Sequence, residues 1–373
     1  MERRKALGLI AATGAAASFT AVPAFGAETG RAAGAAGEGN SAARGGYTFA
    51  LDKSVRRTSV RFKNRYGIEL AADLYVPKNA RGKLPALAVS GPFGAVKEQV
   101  SGLYANEFAR RGYIALAFDP SFTGESGGTV RDVGSPDINT EDWSAAVDFL
   151  GLQKTVDRNR IGAQGICGLS GMALTAAAAD SRIKAVATAA MYDMSRAMSR
   201  GYQDYYTREQ RQKVVDHLSR QRWIDAERGT YARLSAEVPF DENGNVAPSD
   251  RGLPETLPVD ADPITTMFFT YYRTERGYHP RSINSTTAWT GTTPMSFFAF
   301  QQMTNIDMLA PRRALLVTGS EAHSRYYSED VQKTAPDTID LLVVPGADHV
   351  DLYDRKDIIP FGKLDEFFTE NLA

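Results

Sequence analysis

Few side chains in this sequence can do covalent chemistry. There is one cysteine, Cys167, and there are four histidines, His217, His279, His323 and His349. Cys167 lies in Arg160–Met172, RIGAQGICGLSGM, where an apolar run ends at Ile166 and passes through glycines straight into an alanine-rich stretch. A strand running directly into a helix lifts one side chain clear on a sharp turn, with its reactive atom near the positive helix N-terminus. Two registers compete for the pattern G-x-nucleophile-x-G. Gly165-Ile166-Cys167-Gly168-Leu169 puts Cys167 on the turn, with Leu169 where a second glycine is usual. Gly168-Leu169-Ser170-Gly171-Met172 puts Ser170 there instead. Such a turn follows its strand immediately, so the spacing selects Cys167. Ser170 falls a helical turn later, on the face packed toward the sheet. A lone cysteine can also be a small buried hydrophobe, but the flanking Gly165 and Gly168 weigh against that. A thiol titrates near ~8.5 when free, and a helix N-terminus with a neighbouring imidazole favours the thiolate. A cysteine nucleophile also needs a histidine to take and return its proton.

Composition excludes several other chemistries. Lys+Arg 43 against Asp+Glu 44 leaves a formal net charge of -1, with no basic field to hold nucleic acid. A single cysteine forms neither an intramolecular disulfide nor a cysteine-rich metal site. The histidines lack the HExxH-type spacing of a catalytic zinc, so no metal and no cofactor is expected.

The elements that must position Cys167 alternate along the chain. Val55–Phe62 and Ile68–Val76 predict an opening pair of strands around the turn residues 64–67. Strands are predicted at Leu84–Ser90, Tyr113–Asp119, Arg160–Ile166 and Ile183–Met191. Helices at Val96–Arg111, Thr140–Gln153 and Gly168–Asp180 separate them. The alternation resumes with strands at Arg313–Thr318 and Ile339–Val344 and a helix at Lys363–Leu372. This is an α/β pattern, a mostly parallel sheet with helices on both faces. Residues 47–192 and 311–373 form the core. Residues 193–310, too long for a plain connection, read as a mainly helical lid over the sheet's carboxyl edge, where ligands of open α/β sheets bind. Its aromatics, Tyr205, Trp223, Phe268, Tyr272, Trp289 and Phe297, suit a largely apolar small-molecule substrate.

Residues 1–26 read as an export signal. Basic MERRK precedes the weakly apolar Ala6–Ala21 and small residues around Ala24 and Gly26, and Arg3-Arg4 resembles a twin-arginine signal. Residues 27–46, rich in glycine and alanine, read as a flexible linker. The expectation is an exported, periplasmic or extracellular protein. Beyond the signal, no stretch is apolar and long enough to span a bilayer.

With these residues in view, the chain resembles the α/β-hydrolase superfamily, and more narrowly its dienelactone hydrolase-like branch, which can carry cysteine at the nucleophile elbow. The resemblance spans Ser54 to Leu372 and rests on GPFGAVKEQ (Gly91–Gln99), AFDPSFTGESGG (Ala117–Gly128), GICGLSGMAL (Gly165–Leu174), MYDMSR (Met191–Arg196), EAHSRYYSED (Glu321–Asp330) and PGADHVDLYD (Pro345–Asp354). It implies an α/β-hydrolase fold with His349, in the loop after the last strand, as the base; His323 is the rival. It implies an acid at either of two places, Glu321 after the preceding strand or Asp193 after the strand that follows the nucleophile helix. Asp119 and Glu125 read as structural residues of their loop. Two donors must meet the oxyanion: the N–H of Gly168 and one from the loop after Leu84–Ser90. Pro92 has no N–H, so Phe93 is the candidate there.

The function implied is an exported, cofactor-independent hydrolase of a carboxylic ester, thioester or lactone, working through an acyl-enzyme on Cys167. Two alternatives are an acyltransferase passing the acyl group to an alcohol or amine, and a non-catalytic binding protein on a hydrolase scaffold. The sequence leaves the oligomeric state open.

Overall fold

The structure is a computed structural model, and residues 46–373 are described. The predicted export signal, and the linker up to residue 45, lie outside the described residues.

Ten strands and eleven helices are described here in chain order. They run β1 (Val55–Lys63), β2 (Glu69–Pro77), β3 (Leu84–Ser90), α1 (Val100–Ala109), β4 (Ile114–Phe118), α2 (Pro136–Leu152), β5 (Val156–Ile166), α3 (Gly168–Ala179) and β6 (Ala185–Ala189). There follow α4 (Met194–Arg200), α5 (Arg208–Arg228), β7 (Arg233–Leu234), α6 (Pro263–Tyr272), α7 (Ile283–Thr286), β8 (Trp289–Thr290) and α8 (Pro294–Ala299). The chain then returns through β9 (Arg313–Gly319), α9 (Arg325–Thr334), β10 (Ile339–Val344), α10 (Asp351–Asp354) and α11 (Phe361–Asn371).

Eight strands form one sheet in the order β1-β2-β4-β3-β5-β6-β9-β10. β1 pairs antiparallel with β2, and β2 antiparallel with β4; every other pairing is parallel. Apart from β5, which begins with the polar run 157–160, the parallel strands are short and mostly apolar, because helices cover both of their faces. Alternation within β3 shows how the two layers are fed. Ala86 and Ala88 pack with Trp143, Val147 and Leu150 of α2 and with Leu174 of α3. Leu87 and Val89 pack on the opposite face with Phe108 of α1 and Phe368 of α11. Trp143 meets Phe118 edge-on with ring centroids 5.1 Å apart, and Phe108 meets Phe368 edge-on at 5.6 Å. Alanines in α3 let that helix lie close against β5, where a Cβ on Gly165 would stand 2.6 Å from the Ser170 backbone. Ser170 is fully buried at this contact and exposes no hydroxyl for catalysis.

β1 reads VRRTSVRFK and forms one edge of the sheet. Between β6 and β9 the chain leaves the sheet and forms α4–α8 together with the β7–β8 pair. Of the lid aromatics, Trp223 projects from α5 and is 72% exposed and Tyr205 is also exposed, whereas Tyr272, Trp289 and Phe297 are buried. Among the described residues no helix is long and apolar enough to cross a membrane, and no cluster of His, Cys, Asp and Glu is arranged to hold a metal ion.

Candidate active site

The turn between β5 and α3 has one purpose that its backbone makes visible. Cys167 sits at φ 53°, ψ −128°, immediately before the first residue of α3. A non-glycine residue in the left-handed region costs roughly 1–3 kcal/mol, and such strain persists where surrounding structure fixes it. Here the Cys167 N–H donates to the Ala189 carbonyl at 2.9 Å, and its own carbonyl accepts from Tyr192 N–H at 3.1 Å and Ser170 N–H at 3.0 Å. The flanking Gly168 cannot carry a side chain: a Cβ there would lie 2.7 Å from both Met194 Sδ and Phe93 Cβ. Close approach by the loop after β3 and by the first residue of α4 is therefore built into the turn.

The thiol is buried, at 7% exposure. Its surroundings pull its pKa in two directions. Burial pushes it up, while hydrogen bonds from the Tyr353 side chain and from the backbone N–H groups of Gly168 and Phe93 favour the thiolate; burial wins. The same sulfur is thus reached by both backbone donors that the sequence proposed for an oxyanion. Phe93 is held by packing and by its carbonyl. Its ring stacks on Trp289 at 3.9 Å and meets Phe297 edge-on at 6.0 Å, and its carbonyl accepts from Asn284 Nδ2 at 2.8 Å. The loop that follows Phe93 is tied to the one after β4. Lys97 N–H donates to Asp119 Oδ1 at 2.7 Å, and the buried Lys97 ammonium lies 2.6 Å from Glu98, 2.7 Å from Glu125 and 3.6 Å from Asp119. Burial raises the Asp119 carboxyl to about 6 against the pull of Lys97.

His349 follows β10 and is fully buried. Nε2 lies 3.0 Å from the Tyr353 hydroxyl, and Nδ1 lies 2.6 Å from Ser324 Oγ. Burial, and secondarily the neighbouring His323, hold its pKa well below the usual imidazole value. His323 stands with its ring 4.9 Å from that of His349, and its Nε2 hydrogen-bonds the Tyr192 hydroxyl. Burial pushes His323 down to about 4. Phe268 closes over both imidazoles, edge-on at 5.6 Å and 5.5 Å. Of the other histidines, His217 lies on α5 and His279 is buried, with Nδ1 accepting from Arg281 N–H at 3.2 Å.

Neither carboxylate named as the acid is a hydrogen-bond partner of His349. Asp193 caps α4, accepting from Arg196 N–H at 3.0 Å, and helix capping is a sufficient use for it. Glu321 is exposed and accepts from its neighbour Ser320 Oγ at 2.9 Å. A side chain that points to solvent from the β9–α9 loop does not reach an imidazole buried beneath it. Ser324, three residues further on, occupies the place instead. Ser324 and Tyr353 are the residues that sequence reading missed. Tyr353 carried a faint signal, four positions after His349 and hence on the same side of any helix there. Ser324 carried none.

All these groups come from the carboxyl ends of parallel strands: Phe93 after β3, Cys167 after β5, Tyr192 after β6, His323 and Ser324 after β9, His349 after β10. Ligands of open α/β sheets bind at that edge. Residues 66–237 match the family model of X-Pro dipeptidyl-peptidase (S15 family). The uncharacterised protein PA2218 of Pseudomonas aeruginosa is 54% identical over 326 residues, 87% of this chain and 83% of the relative. Its crystal structure superposes with a TM-score of 0.80 over 87% of this chain and 96% of that one. The uncharacterised protein YcjY of Escherichia coli is 31% identical over 83% of this chain and 96% of its own length. A thiohydrolase of Aspergillus aculeatus, aneE, is 36% identical over 35% of this chain and 40% of its own. The α/β hydrolase GrgF from Penicillium shares the fold at a TM-score of 0.68 and 21% identity, over 85% of this chain and 99% of that one. With its likeness to PA2218 and YcjY running along most of their length, the chain belongs to their family and has the α/β-hydrolase fold.

Proposed function

We propose that this protein is an exported hydrolase of a carboxylic ester, thioester or lactone that works through an acyl-enzyme on Cys167. The observation that carries the reading is the strained turn that holds a lone thiol at φ 53° with two backbone N–H groups directed at its sulfur. Cys167 Sγ attacks the carbonyl carbon as its proton passes to His349. The oxygen left on that carbon is bonded next to the sulfur, within reach of the Gly168 and Phe93 donors. Collapse expels the alcohol or thiol, which takes up the proton, and water then releases the acid by the same route. The likeness to the thiohydrolase aneE supports a thioester among the substrates, and the buried Trp289 and Phe297 with the half-buried Phe268 support an apolar acyl group. Incubation with activated acyl esters should add one acyl mass to the intact protein. Retention of full esterase and thioesterase activity by Cys167→Ala would refute the assignment.

The match of residues 66–237 favours a second reading, cleavage of a peptide bond after proline. X-Pro arylamides tested beside acyl esters and acyl thioesters of several lengths separate the two, since the first reading expects turnover of the acyl substrates only.

A further inference from the structure

The proposed mechanism leaves one buried group unused. Tyr353, on α10, has its hydroxyl 3.0 Å from His349 Nε2, and the same hydroxyl is hydrogen-bonded to the Cys167 thiol. The nitrogen that would ordinarily face the nucleophile faces a phenol instead. Tyr353 is fully buried and locked. Tyr271 packs edge-on against its ring at 5.1 Å, and the His349 ring lies 5.3 Å away. On its other nitrogen, His349 meets Ser324 Oγ at 2.6 Å. Five polar atoms therefore form one chain: Sγ, the Tyr353 oxygen, the two ring nitrogens and the Ser324 oxygen.

We propose that the Tyr353 hydroxyl is a catalytic residue that carries the proton between Cys167 and His349. This rests on Cys167 being the nucleophile. With the ring proton on Nδ1, donated to Ser324, Nε2 accepts from the Tyr353 hydroxyl, and the Tyr353 oxygen accepts from the thiol. As Sγ bonds to the acyl carbon, the S–H bond breaks and its proton joins the Tyr353 oxygen. The original hydroxyl proton moves to Nε2. The products are a thioester-forming sulfur, a neutral phenol and an imidazolium; no tyrosinate accumulates. That neutrality agrees with the surroundings, since burial holds the phenol well above its ordinary pKa. Protonation of the leaving group runs the relay in reverse.

Tyr353→Phe keeps the ring and removes only the relay atom. Turnover of an activated thioester should fall on the order of 10²-fold, the usual range for losing a general acid–base group. Two readouts separate a relay from a packing role. Alkylation of Cys167 by iodoacetamide, followed over roughly pH 6 to 10, should shift its midpoint upward in the variant and slow about tenfold near neutrality, as for one lost hydrogen bond to a charged group. A proton inventory in mixed light and heavy water should be bowed for the wild type, with two protons in flight, and straight for Tyr353→Phe. An unchanged alkylation profile with an unchanged inventory, in a variant whose circular dichroism is native, overturns the proposal. Alkylation is read without substrate. If Cys167→Ala keeps its turnover, the function proposed above falls, while the alkylation profile still decides whether Tyr353 is linked to the thiol.

Discussion

Ser324 Oγ stands 2.6 Å from His349 Nδ1, where hydrolases of this kind ordinarily hold a carboxylate. A hydroxyl fixes the ring's orientation and accepts its N–H, but it brings no charge to balance an imidazolium. With burial acting in the same direction, the resting pair is neutral imidazole and neutral thiol, not a preformed ion pair. Ser324→Ala should therefore lower kcat/KM about tenfold, the worth of one buried hydrogen bond, with KM little changed in steady-state kinetics. The depressed histidines also set a pH limb. His323, held at about 4 against 6.5 when free, and His349, also depressed, bind fewer protons folded than unfolded. The stability they give is complete above the unfolded value and is lost as pH falls from about 6.5 toward 4. Urea midpoints should drop across that window, and His323→Gln should flatten the fall. A midpoint that holds steady down to pH ~4 would contradict the assignment.

Among the elements, the loops after β3 and β4 bear most on the oxyanion donors. Lys97, buried against Glu98, Glu125 and Asp119, binds the Phe93 loop to its neighbour. Lys97→Met leaves the buried Asp119 without its cation, while Glu98 keeps Arg281, and should destabilise by about 3–5 kcal/mol in chemical denaturation. At Gly165 a methyl would press on the Ser170 backbone, so Gly165→Ala must part β5 from α3 and should cost about 1–3 kcal/mol while misplacing Cys167. Most of the sheet was legible beforehand. Leu84–Ser90, Ile114–Phe118 and Ala185–Ala189 are short apolar runs, and burial on both faces leaves that mark in sequence. α10 was not legible: four residues are too few to show a period, and so Tyr353 passed unread beside His349. The two acids were misplaced for a related reason. The resemblance pointed to Glu321 and Asp193, but only side-chain direction separates a solvent-facing or capping carboxylate from one aimed at an imidazole.

At the scale of the whole molecule, the proposed catalytic groups gather at the carboxyl ends of the parallel strands. Trp223, exposed on α5, lies outside that arrangement, and Trp223→Ala should leave stability within about 0.5 kcal/mol of wild type in thermal unfolding, as for an ordinary surface change. The other feature of whole-molecule reach is β1. An edge strand offers unpaired N–H and C=O groups to any second strand that meets it. This one presents Arg56, Arg61 and Lys63 to solvent along nine residues. Two copies approaching edge to edge would bring like charges together before a single backbone hydrogen bond could form. The strand thereby guards itself against templated aggregation by repulsion, with no helix covering its edge among the described residues, and that protection should weaken as salt screens it.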